Sequence, residues 1–397
     1  MIPLVLSRFT AVSAIGRGLA QTLEALQMQR SGLAPCTFET VDLETQIGEV
    51  PGVEAIALPE GLEEFNCRNN RLAQLGLMQD DFAVAVAGSV ERWGRRRVGV
   101  LLGTSTAGML QTELAYRNRD PLTGALPADF NYAATQNSYS VADFVRRALR
   151  LAGPAAVVCT ACSSSAKVFA SAQRMISAGI IDAAVVGGVD SLCLTTLYGF
   201  HSLQLTSRFA CRPFDVARDG ISIGEAAAFV LLERPHPSVA HDALMLLGTG
   251  ESSDAYHMSS PHPEGRGARA SIQQALRAAQ LAPEDVDYIN LHGTATPSND
   301  SAEDAAITSV FGPDTPCSST KGATGHTLGA AGALETVICA LAIQHGLMPA
   351  GLNTTVVDPS LKLHYLCENR RGHIARALTN SFGFGGANCS LIIGRAA

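Results

Sequence analysis

Apolar residues in this chain fall into two kinds of run. Short, unbroken runs occupy 98–102, 155–160, 183–187, 227–233, 244–248, 288–292 and 389–394. They do not alternate apolar with polar, so they predict strands covered on both faces. Between them lie segments of helical length that are low in glycine and proline, at 141–151, 163–178, 268–280, 301–311 and 329–344. Strands and helices that interleave in this way predict a layered α/β fold. The segment 163–178 stands apart, because Ala166, Val168, Phe169, Ala170, Ala172, Met175 and Ile176 are not confined to one stripe. A helix apolar nearly all round belongs in the centre of a large body. The glycine-rich ends AAVVGGVDS and FGFGGANCSLIIGR hint at two related halves. No linker rich in proline, serine or charge separates those halves, which predicts one compact body.

Composition supports a large core: 47% of the 397 residues are hydrophobic and 16% charged, which argues against disorder. A net charge of −7 and a pI near 5.8 disfavour nucleic acid as the main partner. The densest basic run, Arg95 to Arg97, reads as a solvated edge before a strand. The ten cysteines are too irregularly spaced for a disulfide framework, and several sit in apolar runs as small hydrophobes. The apolar start MIPLVLSRFTAVSAIG lacks a positive leading region and is interrupted by Arg8, unlike a signal peptide. No uninterrupted apolar stretch reaches spanning length, and a reducing cytoplasm is the expected compartment.

Four segments carry chemistry. In VVCTACSSSAKVFASA, Cys162 stands where a strand passes into a helix. The helix dipole and free backbone N–H groups there are expected to lower the thiol's pKa, and the sharp turn lets its own N–H serve an oxyanion hole. Cys159 and Cys162 form a C-x-x-C, but a structural zinc site needs two more ligands and no second such pair exists. INLHGTATPSNDSAED puts His292 at the carboxyl end of a strand, where open α/β sheets place ligands. SSTKGATGHTLGAAGALE packs Lys321 and His326 into a glycine-rich turn before a helix that carries Glu335. Two histidines, a lysine and a cysteine, all at element ends, suit acyl chemistry. In NSFGFGGANCS, glycines allow close backbone approach, and Phe382 and Phe384 are placed as an apolar lid.

Together TACSSS, LHGTATPSND, SSTKGATGHTLGAAGALE and NSFGFGGAN resemble the signature blocks of the elongating β-ketoacyl-acyl carrier protein synthases. CRPFDVARDGISIGEAAAFVLLE and ESSDAYHMSSPHPEG agree, and the likeness runs from about residue 98 to 395. The resemblance implies a thiolase fold, with two similar βαβαβαββ halves (1–240 and 241–397) stacked as a five-layer α-β-α-β-α body. It implies an acyltransferase that joins malonyl units to a Cys162-bound acyl chain by decarboxylative Claisen condensation. His292 and His326 would hold the malonyl carbonyl, with Lys321 and Glu335 orienting them. The N–H groups of Cys162 and Phe384 would form the oxyanion hole, with Phe384 as gate. Thr294, Thr296, Ser259 and Asn388 would bind substrate along the phosphopantetheine tunnel. Phosphopantetheine arrives on the carrier protein, so no metal or dissociable cofactor is implied. The implied partners are an acyl carrier protein, for which a local basic patch remains compatible with the net charge, and a second copy or a chain-length-factor-like subunit. Nucleic acid and membrane are not implied.

Competing readings fit less well. A thiolase needs a C-terminal Cys-Gly setting that Asn388-Cys389-Ser390 lacks, and a chain-length factor lacks the nucleophile. An initiating synthase uses Cys-His-Asn, and a pure acyl-binding module needs none of the polar set. Departures from the housekeeping pattern, at Leu6-Ser7-Arg8-Phe9, in the polar loop 103–108 and across 111–139, resemble an aryl-polyene type of secondary-metabolism synthase. Thr106 is accordingly expected to line the acyl pocket and favour rigid, unsaturated chains. The alternative is that 104–106 only satisfy loop backbone groups.

Overall fold

The sequence expectations were compared with a computed structural model, which describes residues 2–395 apart from 238 and 241. The first half contributes β1 (Leu4–Ser13), β2 (Val98–Gly103), β3 (Ala155–Val158), β4 (Ala183–Asp190) and β5 (Ala226–Glu233). The second contributes β6 (Leu244–Ser253), β7 (Tyr288–Asn290), β8 (Pro316–Ser318), β9 (Arg376–Gly383) and β10 (Ala387–Arg395). Their order across the sheet is β8-β7-β9-β10-β6-β1-β5-β4-β2-β3, with His364–Tyr365 added beyond β8. Numbered within its own half, each set therefore runs first, fifth, fourth, second, third. The senses repeat too: β2 is parallel to β3 and β4, as β7 is to β8 and β9. The halves join where β1 pairs antiparallel with β6.

Helices divide the sheet into layers. On the outer face of the first half lie α1 (Arg68–Leu77), α2 (Phe82–Trp93) and α3 (Tyr139–Ala148); α4 (Ser164–Ser177) lies inside. The second half adds α5 (Arg266–Ala279) and α6 (Pro297–Phe311) outside and α7 (Ala331–His345) inside. The helices α4 and α7 touch each other and strands of both halves, whereas α1 and α3 pack on the first half and α5 on the second. The result is helix, sheet, helix, sheet, helix. Thirteen of the fifteen residues of α7 are buried, so a segment apolar enough to cross a membrane is here a core helix. The expectation for 163–178 holds in the same way: Phe169, Val168 and Ala172 sit in the central cluster with Val337 and Ile338.

Several elements lie outside the predicted runs. The chain's apolar start is β1, the strand that bridges the halves; its run breaks at a register shift between Leu6 and Arg8, where Ser7 and Arg8 face outward. Strands predicted at 155–160 and 288–292 end earlier, at Val158 and Asn290. The residues that follow them, 159–160 and 291–292, lie outside the strands and lead toward the helices α4 and α6.

Register brings the carboxyl ends level. Gly103 sits opposite both Val158 and Gly188, and Asn290 opposite Ser318 and Thr379. A Cβ on Gly103 would lie 2.2 Å from the Ser165 nitrogen, so a bare glycine lets the start of α4 rest on β2. Gly103→Ala is expected to cost about 1–3 kcal/mol through overpacking. Gly88→Ala on α2, where the added carbon meets nothing within 4 Å, is expected to stabilise by up to about 1 kcal/mol. Calorimetry of both variants checks this, and a wild-type melting temperature for Gly103→Ala would contradict the packing.

Candidate active site

The nucleophile turn is built from its own hydroxyls. After β3 the chain bends through Ala161, whose φ of 52° is left-handed, and α4 begins two residues beyond Cys162. Ser163 Oγ donates to the Thr160 carbonyl at 2.9 Å and Ser164 Oγ to that of Ala161 at 2.6 Å. Ser165 Oγ accepts the Ala333 N–H at 3.0 Å, tying α4 to α7. The three serines after Cys162 thus fasten the bend to both central helices.

The second half brings the other groups to the same point. Past β7, the N–H groups of His292 and Gly293 each donate to a carboxylate oxygen of Glu303 on α6, at 2.8 Å. Ahead of α7, His326 is held by Ser222, whose carbonyl accepts its N–H at 2.7 Å, and by Gly224, which donates to its carbonyl at 2.9 Å. His326 Nε2 lies 3.0 Å from Cys162 Sγ, and the two imidazoles meet edge to face at 5.3 Å. One ligand atom each from Cys162, His292 and His326 lies within 4.8 Å of the others. Lys321 Nζ donates to the Glu335 carboxylate and stands 3.5 Å from His292 Nδ1. An ammonium has no lone pair, so it can only donate to Nδ1, which leaves the proton of a neutral His292 on Nε2.

Burial sets the charges. Both imidazoles are pushed well below their ordinary pKa, first by burial and then by Lys321, so they are neutral. Glu335 is pushed up to about 7 by burial against the pull of Lys321; Glu303 also rises to about 7 by burial, against its two N–H donors. Cys162 departs from the sequence expectation. The N–H groups of Phe384 and Cys162 itself, with Lys321, draw its pKa down, but burial outweighs them and lifts it to about 11. Burial thus keeps the group a thiol at rest, against the sequence expectation.

A cavity of about 50 Å³ opens over this set. Cys162, His292 and His326 line it, as do Thr294, Thr296, Ser259, Asn388, Phe382 and Phe384. Lys321 and Glu335 stand behind the histidines, 1% and 2% exposed. Thr294 and Thr296 share a hydrogen bond of 2.9 Å, and Phe382 meets the His292 ring at 5.8 Å. The Phe384 ring rests on Phe200 at 5.5 Å, in a turn where Gly385 has a φ of 81° and Gly386 one of 78°. Thr106 is the exception. It lies outside the cavity lining, and its hydroxyl and N–H both donate to Asp190, each at 2.9 Å; so do the Thr104 hydroxyl and the hydroxyl and N–H of Ser105. The hydroxyls of 104–106 satisfy a buried carboxylate instead of an acyl chain. Reading the sequence missed Glu303, Asp190 and Phe200. For Glu303 the available signal was an acidic residue within a helix beside the histidine segment.

A thiol, two neutral imidazoles and two backbone N–H groups, set between the halves of this body, define a condensing enzyme of the thiolase fold. The family model for the β-ketoacyl synthase N-terminal domain matches residues 66–237, and that for the β-ketoacyl synthase C-terminal domain matches 244–355. The 3-oxoacyl-[acyl-carrier-protein] synthase 2 of Coxiella burnetii is 34% identical over 98% of both chains. Nodulation protein E of Rhizobium leguminosarum bv. trifolii is 32% identical over 98% of both. A ketosynthase from Xenorhabdus doucetiae, solved in complex with its chain length factor, superposes with a TM-score of 0.90 at 38% identity, covering 100% of this chain and 98% of that one. This chain belongs to the β-ketoacyl synthase family, and its activity is that of a β-ketoacyl-acyl carrier protein synthase of fatty acid or polyketide synthesis.

Burial of the thiol has a measurable consequence. Alkylation by iodoacetamide, followed on the Cys162 peptide by mass spectrometry, is expected to keep accelerating past about pH 8.5, the ordinary thiol midpoint, toward about 11. A plateau below the ordinary midpoint would mean that the helix wins over burial after all.

Proposed function

We propose that Cys162 carries the growing acyl chain and that His292 and His326 divide the chemistry between them. The observation that carries this reading is the tautomer pattern: Lys321 makes His292 an Nε2–H donor, while His326 Nε2 faces a thiol at 3.0 Å. In the transfer half-reaction the Cys162 proton passes to His326 Nε2 as sulfur attacks the acyl thioester. The oxyanion is held by the N–H groups of Cys162 and Phe384. Collapse expels the phosphopantetheine thiolate, which takes the proton from His326. In the second half-reaction the malonyl thioester carbonyl accepts the His292 Nε2–H. The bond to the carboxylate then breaks, CO₂ leaves, and the enolate carbon attacks the Cys162 thioester. Cys162 departs as thiolate and regains a proton from solvent water through His326.

No cofactor enters this scheme, since decarboxylation itself makes the carbanion. Cys162, His292 and His326 resemble a metal-ligand set, but a His292 whose Nε2 carries a proton cannot bind a metal through that atom. Thr294, Thr296, Ser259 and Asn388 would receive the phosphopantetheine arm of the carrier protein. The cavity has room for only a few waters, so an acyl chain enters when Phe384 swings off Phe200. Thr106, bound to Asp190, offers an acyl chain no pocket wall that would favour rigid chains. Ten free thiols fit a reducing cytoplasm.

The partner is a second copy or a chain-length-factor-like subunit. Supporting this, β3 is the rim of the sheet and its apolar residues are only partly covered. An unpaired edge of this kind calls for a neighbour. The related Xenorhabdus ketosynthase was solved with its chain length factor. Sedimentation of an active monomer at micromolar concentration would refute it.

Variants separate the half-reactions. Cys162→Ala is expected to accept no acyl group and to remain folded. His292→Ala is expected to lose about 10²–10³-fold in decarboxylation, the usual cost of one oxyanion donor, while still acylating Cys162. His326→Ala is expected to slow acylation of Cys162. Acyl-Cys162 mass and release of labelled CO₂ measure the two steps, and a His292→Ala enzyme that decarboxylates normally would sink the assignment.

A further inference from the structure

Asp190 ends β4, is fully buried, and takes no part in the chemistry above. Its carboxylate gathers the loop after β2: it accepts from Thr104 Oγ1 at 2.6 Å, from the N–H groups of Ser105 and Thr106 at 2.8 and 2.9 Å, and from the hydroxyls of Ser105 and Thr106. It also accepts from the other half of the chain, where the Gly329 N–H donates at 2.6 Å. Gly329 lies three residues after His326, beyond a left-handed Leu328 with a φ of 51°. The approach is close enough that a Cβ at Gly329 would stand 2.7 Å from Asp190 Oδ2 and 2.9 Å from the Ser105 nitrogen. Upstream, His326 is fixed by its bridge to Ile223; downstream, the first bond across the halves is this one.

The ring of His326 needs such an anchor. Its Nδ1 is buried without a hydrogen-bond partner, so no bond behind the imidazole aims it, in contrast to His292, which Lys321 holds from behind. The direction of Nε2 therefore follows from where the backbone on either side of His326 is pinned.

We propose that Asp190 is a positioning residue: by clamping Gly329 to the loop 104–106, it holds His326 Nε2 on the Cys162 thiol. The inference rests on His326 being the acceptor of the thiol proton, and the test keeps the two apart. The rate of iodoacetamide modification at Cys162 is measured at pH 7 for wild type, Asp190→Asn, His326→Ala and the double variant, with circular dichroism to confirm the fold. Asp190→Asn cannot accept all these donors, and is expected to slow modification about tenfold, within the range that a misplacement of about 1 Å costs. The double variant is expected to react no more slowly than His326→Ala, because the clamp has nothing left to aim. A folded Asp190→Asn reacting at the wild-type rate beside a slow His326→Ala would overturn the clamp, as would effects that simply multiply. A normal His326→Ala would instead overturn the proton acceptor on which the inference rests. Should Asp190→Asn fail to fold, Thr106→Val removes one donor and leaves the carboxylate. It is expected to give a smaller loss that likewise vanishes in the His326→Ala background, and no loss would count against the proposal.

Discussion

The central helices α4 and α7 approach to backbone distance, and the placement of the reactive groups rests on that contact. A Cβ on Gly332 would lie 2.7 Å from the Ala166 Cβ and 2.8 Å from the Ala166 nitrogen. Small residues at these positions let Ser165 cap the start of α7 directly. Since Cys162 precedes one helix and His326 the other, their 3.0 Å separation is fixed by how closely the helices can lie. Larger side chains at the seam would widen the site before they changed any reacting group.

The same depth governs the electrostatics. Far from water, the imidazoles shed their charge and the thiol keeps its proton, while Lys321 and Glu335 are hydrogen-bonded to each other. A buried pair of this kind adds little net stability, but losing one partner strands the other at a cost of about 3–5 kcal/mol. Its value here is positional, because it presents an ammonium to His292 Nδ1 and so selects which nitrogen carries the proton. Glu303 does comparable work on the backbone of the same segment. Neutral donors aimed at a place where negative charge will form need not reorganise when it does.

Continuous apolar runs were enough to find most of the strands of both halves and the two central helices, because burial on both faces leaves a plain mark in composition. The strand β1 was harder to read, since Ser7 and Arg8 interrupt it at a bulge. Cys162, both histidines and Lys321 were legible because their types are costly to place at element ends without a purpose, and Glu335, inside α7, through the family resemblance alone. Asp190 was not, since a lone acid at the end of a strand says nothing about which amides will surround it. Thr106 was misread for the matching reason: a small hydroxylated residue suits a pocket wall and a carboxylate cradle equally, and only the partner distinguishes them. The thiol's ionisation failed as an expectation because a helix dipole can be read from sequence whereas desolvation depends on the whole body.

The repeated strand order has a further consequence. Cys162 follows the third strand of the first half and leads into α4; Lys321 and His326 follow the third strand of the second half and lead into α7. Cys162 and His326 thus occupy equivalent turns. Two identical halves could only set identical turns face to face. Halves that differ in sequence can place a thiol on one turn and an imidazole on its equivalent, so the asymmetry of the site is carried by the turns and not by the strand order.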